Sequence, residues 1–286
     1  MKVGGIMNLS IDNNMSVRDL ILYSENRYDK DIERIIEDIL NKNKRIVLLT
    51  GPSGSGKTTT AKRLVKGLKK RNKDAIYLSM DNWFRTKSEF EVPLTEDGKP
   101  DYESPLCVNI DLLNEHLCGL LEGISFNLPI YDFVNQKMNI SDKVITAKEN
   151  TILVLEGLHA LNDFVKIDRQ YTYRLLVCPE NIIYLDTVFT QNEIRLFRRI
   201  TRDKLHRGRT LEETLDMFNV VSRGEKLYLL PTLNDLDFTL NSFLEYELFL
   251  HRSVLGKFDK LSILCDNGIK VEDIPVGSLM EEFYKK

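Results

Sequence analysis

An α/β fold with a parallel sheet of about five strands flanked by helices is the class this sequence predicts, on three observations. Short apolar runs that read as buried strands alternate with segments of helical periodicity along most of the 286 residues. One run, Arg45-Ile46-Val47-Leu48-Leu49-Thr50, leads directly into a glycine-rich loop and then a helix. Two carboxylates, Asp81 and Glu156, stand at the ends of further runs, where ligands gather in sheets of this kind.

Residues 1–15 are polar and methionine-rich without periodicity, which predicts a loose or simply docked start. From Ser16 to Asn43, Leu20, Ile21, Ile32, Ile35, Ile36, Ile39 and Leu40 return at three- and four-residue steps, so a helix packed on the core is expected. Residues 1–43 are read as an amino-terminal extension with a helix, and 44–286 as the main domain. The strand over 45–50 runs into Gly51-Pro52-Ser53-Gly54-Ser55-Gly56-Lys57-Thr58-Thr59. Its glycines let the backbone curl so that successive amides point at one anion, which the positive end of the following helix also attracts. Ala61, Leu64, Val65 and Leu68 give that helix one buried face. This unit is the phosphate-binding loop of a P-loop NTPase fold. Gly51, Ser53, Gly54, Ser55, Gly56 and Thr59 surround the nucleotide's phosphates, Lys57 reaches the β- and γ-phosphates, and Thr58 holds magnesium.

Ala75 to Met80 reads as a short strand ending in Asp81, while Pro93, Gly98, Pro100 and Pro105 mark residues 86–109 as irregular. Ile110 to Leu121 is helical, and 126–140, extended and aromatic around Pro129, predicts a hairpin inserted at the edge of the sheet. Thr151-Ile152-Leu153-Val154-Leu155 is an unbroken apolar run, as expected of a buried parallel strand with Glu156 at its carboxyl end. Tyr173 to Cys178 is the next strand, and Asn192 to Leu205 a helix crowded with arginine.

The net charge of −3 argues against a general nucleic-acid binder, which carries a basic excess, whereas a small anionic ligand needs only local arginines. Cys107, Cys118, Cys178 and Cys265 lack the paired short spacing of zinc sites and read as reduced thiols. The opening residues do not form a secretion signal, and no run approaches eighteen uninterrupted apolar residues. A soluble cytoplasmic protein with no membrane partner is therefore expected, and a homo-oligomer is compatible with the sequence.

Phosphoryl transfer is mainly positioning plus charge neutralisation, with one proton to remove from the acceptor. Asp81, just past a strand end, can be a turn or cap residue, but beside a phosphate loop it is the candidate general base. Glu156 is the candidate second magnesium ligand, directly or through water. His159 has no second histidine or cysteine at ligand spacing and reads as packing rather than as a metal ligand. Arg195, Arg199 and Arg202 share one helix face, and Arg207-Gly208-Arg209 follows at once. Any one of these arginines can sit on a solvated face paired with acids. Five together, in a chain with a phosphate loop, predict a lid that closes over the transferring group.

Taken in order, these segments resemble the uridine kinase and phosphoribulokinase family. The resemblance is carried by the phosphate loop, Ser79-Met80-Asp81, Pro129-Ile130-Tyr131-Asp132-Phe133, Leu155 to Ala160, Arg195 to Asp203 and Arg207-Gly208-Arg209. It extends through Arg223-Gly224-Glu225, Phe238 to Leu248 and Ile274-Pro275, which occur in a bacterial uridine-kinase-like branch. Members of that branch often carry a further region related to part of a tRNA synthetase, of which residues 1–43 would be at most the last helix.

The resemblance implies a kinase domain over 44–286, ATP and Mg2+ as cofactors, and transfer of the γ-phosphate to the 5′-hydroxyl of a pyrimidine nucleoside. It implies Asp81 as catalytic aspartate with Lys57 and Arg202, Glu103 on the ribose hydroxyls, and Tyr131 with Phe133 around the base. Arg199 and Arg207 would meet the phosphates, and Arg202 and Arg209 the substrate. Where better-known nucleoside kinases place a base-contacting histidine and then an arginine, this chain has Gln136 and Met138. Glutamine both donates and accepts, so Gln136 can still read a uracil edge. Two alternatives stand beside this reading: a phosphoribulokinase-like enzyme acting on another alcohol or sugar phosphate, and a regulatory protein that binds ATP without an acceptor. Asp81 counts against the second, since a sensor has no hydroxyl to deprotonate.

Overall fold

In the computed structural model, which describes residues 5–9 and 15–285, strand β1 (Ile6–Asn8) is followed by helix α1 (Val17–Asn41). Ser16 caps α1 by accepting a hydrogen bond from the Asp19 amide at 3.1 Å, and the predicted apolar stripe is its buried face. There follow β2 (Ile46–Thr50), α2 (Lys57–Lys70), β3 (Ala75–Ser79), α3 (Ile110–Leu121), β4 (Phe126–Asp132) and β5 (Lys137–Ile145). After them come β6 (Ile152–Glu156), β7 (Thr172–Cys178), β8 (Asn181–Tyr184), β9 (Thr187–Phe189), α4 (Gln191–Arg202) and α5 (Leu211–Gly224). β10 (Phe238–Asn241), α6 (Glu247–Leu255) and α7 (Glu281–Tyr284) complete the order.

Five strands pair in parallel in the order β10-β7-β2-β6-β3. Side chains alternate across such a sheet, so both faces of β2 and β6 must be apolar to be covered. Val47, Leu49 and Val154 enter a core shared with α1, α2, α4 and α7. Their neighbours Ile46, Leu48, Leu153 and Leu155 enter a second core with Trp83 and α3. Because all strands point the same way, their carboxyl ends share one edge, where the register sets Leu49 and Ser79 opposite Glu156. The phosphate loop leaves β2, the central strand, at that edge.

Two expectations change in detail. The hairpin exists, as β4 and β5, but it is a separate two-stranded sheet rather than an addition to the main one. Its register shifts between Asn127 and Pro129, and Pro129 has no amide to donate to a ladder. It docks by other contacts instead: Phe126 stacks on His116 of α3, the Met138 amide donates to Thr86 Oγ1 at 3.2 Å, and the Gln136 carbonyl accepts from the Lys87 amide at 3.0 Å. In the opening segment, Ile6–Asn8 pairs in parallel with β8, as a docked strand; residues 1–4 and 10–14 lie outside those described.

The segment around α7 crosses the amino end of α2. A side chain added at Gly56 would lie 2.8 Å from Leu279 Cγ, and Thr59 Oγ1 donates to Glu282 Oε2 at 2.8 Å. Among the described residues no helix is long and apolar enough to cross a membrane.

Candidate active site

The phosphate loop turns on Gly54 (φ 75°) and Gly56 (φ 88°), left-handed positions that a side chain would strain. Lys57 Nζ folds over its own loop, donating to the carbonyls of Gly51 at 2.8 Å and Pro52 at 3.1 Å. The ammonium is thus held where an anion cradled by the loop amides would meet it. Ser55 Oγ is buried in the same loop and, among the described residues, lacks a hydrogen-bond partner.

Glu156, the last residue of β6, is buried, and one of its oxygens takes three hydroxyls: Thr58 at 3.2 Å, Tyr77 at 2.9 Å and Ser79 at 3.0 Å. Its other oxygen accepts no hydrogen bond from the described residues, and Glu156 lines the central cleft with Thr58. A carboxylate oxygen left open beside a threonine hydroxyl is a donor set that fits a hard divalent cation. Asp81 stands in the turn after β3, open to the water of the cleft. Protein displaces much of the bulk solvent around it, and with Glu156 nearby this raises its pKa to about 6, against the pull of Lys57.

The cleft has a volume of about 610 Å³ and is lined by Ser53, Gly54, Lys57, Thr58, Asp81, Glu103, Glu156, His159, Arg199, Arg202 and Arg207, among others. A smaller pocket of about 290 Å³ lies beside it and shares Phe84, Tyr102, Glu103 and Phe133 with it. Tyr131 and Gln136 belong to this side pocket and not to the cleft. Phe84, Tyr131 and Phe133 pack together there, with centroids 5.0–5.9 Å apart, as an aromatic wall. Glu103 sits where the two spaces join. Burial first, then Glu225, raise its pKa to about 7, with Lys57 and Arg199 opposing. His159 is buried and edge-on to Tyr228, and burial pushes its pKa down to about 4; it packs as a neutral ring.

The arginines divide. Arg195 does not face the cleft: its guanidinium is buried in a two-pronged pair with Glu225, at 2.7 and 2.9 Å. Arg198, on the next turn, is likewise spent on Glu247 and on the Gly54 and Ser242 carbonyls. Arg199 does reach the phosphate loop, donating to Ser53 Oγ at 2.6 Å. Desolvation and the like charges of Arg202 and Arg207 lower its pKa to about 10. Arg202, Arg207 and Arg209 converge on buried Asp203, at 3.4, 3.5 and 3.6 Å. Of these, Arg202 and Arg207 line the cleft, whereas Arg209 stays on Asp203 and off the lining. Spacing identified the shared helix face, but a buried partner decides which arginine is free.

Three groups escaped the sequence reading. Asp101 anchors the loop bearing Glu103, and Arg223 and Tyr228 hold Asp101 in turn. Glu225 accepts from the Ser53 amide at 2.7 Å, and Glu282 bonds to Thr59. The Arg223-Gly224-Glu225 run was the one signal that pointed this way.

Comparison with known proteins shows the family of the chain. A sequence model of the phosphoribulokinase / uridine kinase family matches residues 46–247. The uridine kinase of Halalkalibacterium halodurans is 31% identical over 185 residues, 64% of this chain and 79% of that protein. The uridine kinase of Anoxybacillus flavithermus is 30% identical over 194 residues, 68% of this chain and 83% of that protein. Among solved structures, one described as a fructose transport system kinase from Silicibacter sp. TM1040 superposes with a TM-score of 0.52. It is 17% identical, covers 73% of this chain and 98% of its own, and shows a shared fold. With a phosphate loop at the head of the central strand, carboxylates on the same sheet edge and a family match over most of the chain, this protein belongs to the phosphoribulokinase / uridine kinase family of ATP-dependent kinases.

Proposed function

We propose that the protein transfers the γ-phosphate of ATP to the 5′-hydroxyl of a pyrimidine nucleoside, uridine foremost. The observation that carries the acceptor assignment is the side pocket: an aromatic wall of Phe84, Tyr131 and Phe133 facing a carboxylate, Glu103, at its junction with the phosphate cleft. The flat faces suit a base, and a carboxylate suits two neighbouring ribose hydroxyls. Uridine kinases among the relatives support the same choice.

In this reading Asp81 takes the proton of the acceptor hydroxyl as its oxygen bonds to the γ-phosphorus and the bond to the β-phosphate oxygen breaks, releasing ADP. Lys57, Arg199, Arg202 and Arg207 face the charge that spreads over the transferring group. Thr58 and the open oxygen of Glu156 would hold Mg2+, which would supply positive charge to offset that of the phosphates. Gln136, at the pocket wall, selects among bases. A sugar-phosphate acceptor is the second reading, favoured by Arg85 and Lys87 on the same wall.

If Glu103 grips both ribose hydroxyls, removing one leaves a buried acceptor unpaired at a cost of about 1–3 kcal/mol. Uridine is then expected to exceed 2′-deoxyuridine in kcat/KM by about ten- to a hundredfold. Glu103→Ala should erase most of that preference. Because the Glu103 pKa lies at about 7, the preference should grow as pH rises through that value and the carboxylate ionises. Turnover of another alcohol with neither nucleoside phosphorylated would keep the kinase and reject the uridine assignment.

A further inference from the structure

We propose that residues Arg223–Tyr228, where α5 runs into a wide helical turn, form a clasp that holds the acceptor loop and the phosphate loop in one register, with Gly224 and Glu225 as its positioning residues. The proposal rests on the kinase reading for the roles of the two loops.

On the phosphate side, Glu225 accepts from the Ser53 amide at 2.7 Å while paired with buried Arg195, and Arg195 donates to the Ser53 carbonyl at 3.0 Å. One ion pair therefore fixes both backbone polar groups of Ser53, at the tip of the loop. On the acceptor side, Arg223 and Tyr228 donate to one oxygen of Asp101 at 3.1 and 2.7 Å. The other Asp101 oxygen receives the amide of Glu103 at 3.2 Å. Between them lies Gly224, whose dihedrals are those of an ordinary helix (φ −57°, ψ −42°). Glycine is not needed there for the backbone. Space requires it: an added Cβ would collide with Glu103 Cβ and lie 2.8 Å from its Cγ. Those atoms are close to the main chain, so the acceptor loop itself would have to move.

A segment gripping both loops cannot let one shift without the other. Ordering Glu103 on an acceptor thus steadies Ser53, and filling the phosphate loop steadies Glu103, a coupling that linkage makes reciprocal. Breaks in helical hydrogen bonding such as the wide turn at Glu225–Leu229 often serve functional sites.

Hydrogen–deuterium exchange on the ligand-free, full-length protein tests the clasp without any assumption about the acceptor. In Gly224→Ala, amides of both 101–104 and 51–56 should exchange at least about fivefold faster than in the parent, with the main core unchanged. Acceleration confined to 101–104 would overturn the proposal. In the second arm, affinity for a non-hydrolysable ATP analogue is measured with and without uridine. The parent should bind the analogue at least about fivefold more tightly with uridine present, the low end of usual coupling between sites. Gly224→Ala should reduce that factor to within about twofold. Retained coupling in this variant would also overturn the clasp. Should Gly224→Ala fail to fold, Tyr228→Phe, which removes one hydroxyl and keeps the ring, carries both arms with the same expected directions. A parent that binds no uridine would sink the uridine reading alone, and the exchange arm would still decide the clasp.

Discussion

Asp81→Asn is expected to lower kcat by about 10²–10⁴-fold while the affinity for ATP stays near that of the parent, the usual size for removing a general base. Asparagine keeps the shape and one carbonyl oxygen but cannot take the acceptor's proton. The position suits this role: Asp81 lies on the turn after β3, in the cleft that Lys57 and the lid arginines share. Its pKa of about 6 sets the sign of the pH dependence. Below that value the carboxylate is protonated and cannot act, so the parent's kcat/KM, which follows the ionisations of the free enzyme, should climb as pH rises to about 6 and flatten above. The limb should vanish in Asp81→Asn. Single-turnover rates across pH, with ATP affinity measured separately, check both statements. Equal loss of ATP binding and of rate would assign Asp81 to metal binding or to structure.

Lys57→Ala should cut turnover by at least about 10²–10³-fold, the scale for losing one preorganised donor to a developing charge. Stability should hardly change, because among the described residues Nζ bonds only to the Gly51 and Pro52 carbonyls of its own loop. Circular dichroism and thermal unfolding check the fold, and ADP release checks the rate. A folded variant turning over near the parent rate would mean that this loop does not carry ATP.

Much of the fold is legible because burial on two faces leaves a simple trace: Ile46–Thr50 and Ile152–Glu156 are buried throughout and read as plain apolar runs. The phosphate loop is equally legible, since its glycines, lysine and threonine do their work within nine consecutive residues. What stays hidden is pairing at long range. Nothing local in α4 tells Arg195 from Arg199; Glu225, 30 residues further on, takes one and leaves the other beside Ser53. Arg198 is claimed in the same way by Glu247, 49 residues away. The acceptor pocket is harder still. Its walls come from three separate segments, around Phe84, Glu103 and Tyr131, and only resemblance to a family brought Glu103 and Tyr131 forward.

The division of charge across the cleft also bears on how its ligands arrive. Lys57, Arg199, Arg202 and Arg207 line the cleft around the phosphate loop, whereas the side pocket sets Glu103, Arg85 and Lys87 around an aromatic wall. An anion diffusing in is drawn most strongly to the first end, where four cations gather, while an uncharged alcohol feels neither end strongly. Arrival of ATP should then slow as salt rises and the Debye length shortens to about 8 Å at physiological strength. The association rate of the proposed nucleoside acceptor, which is uncharged, should stay flat over the same titration. The cluster of cations thus sets the order of approach by charge, bringing the anion to the phosphate loop faster than diffusion alone would.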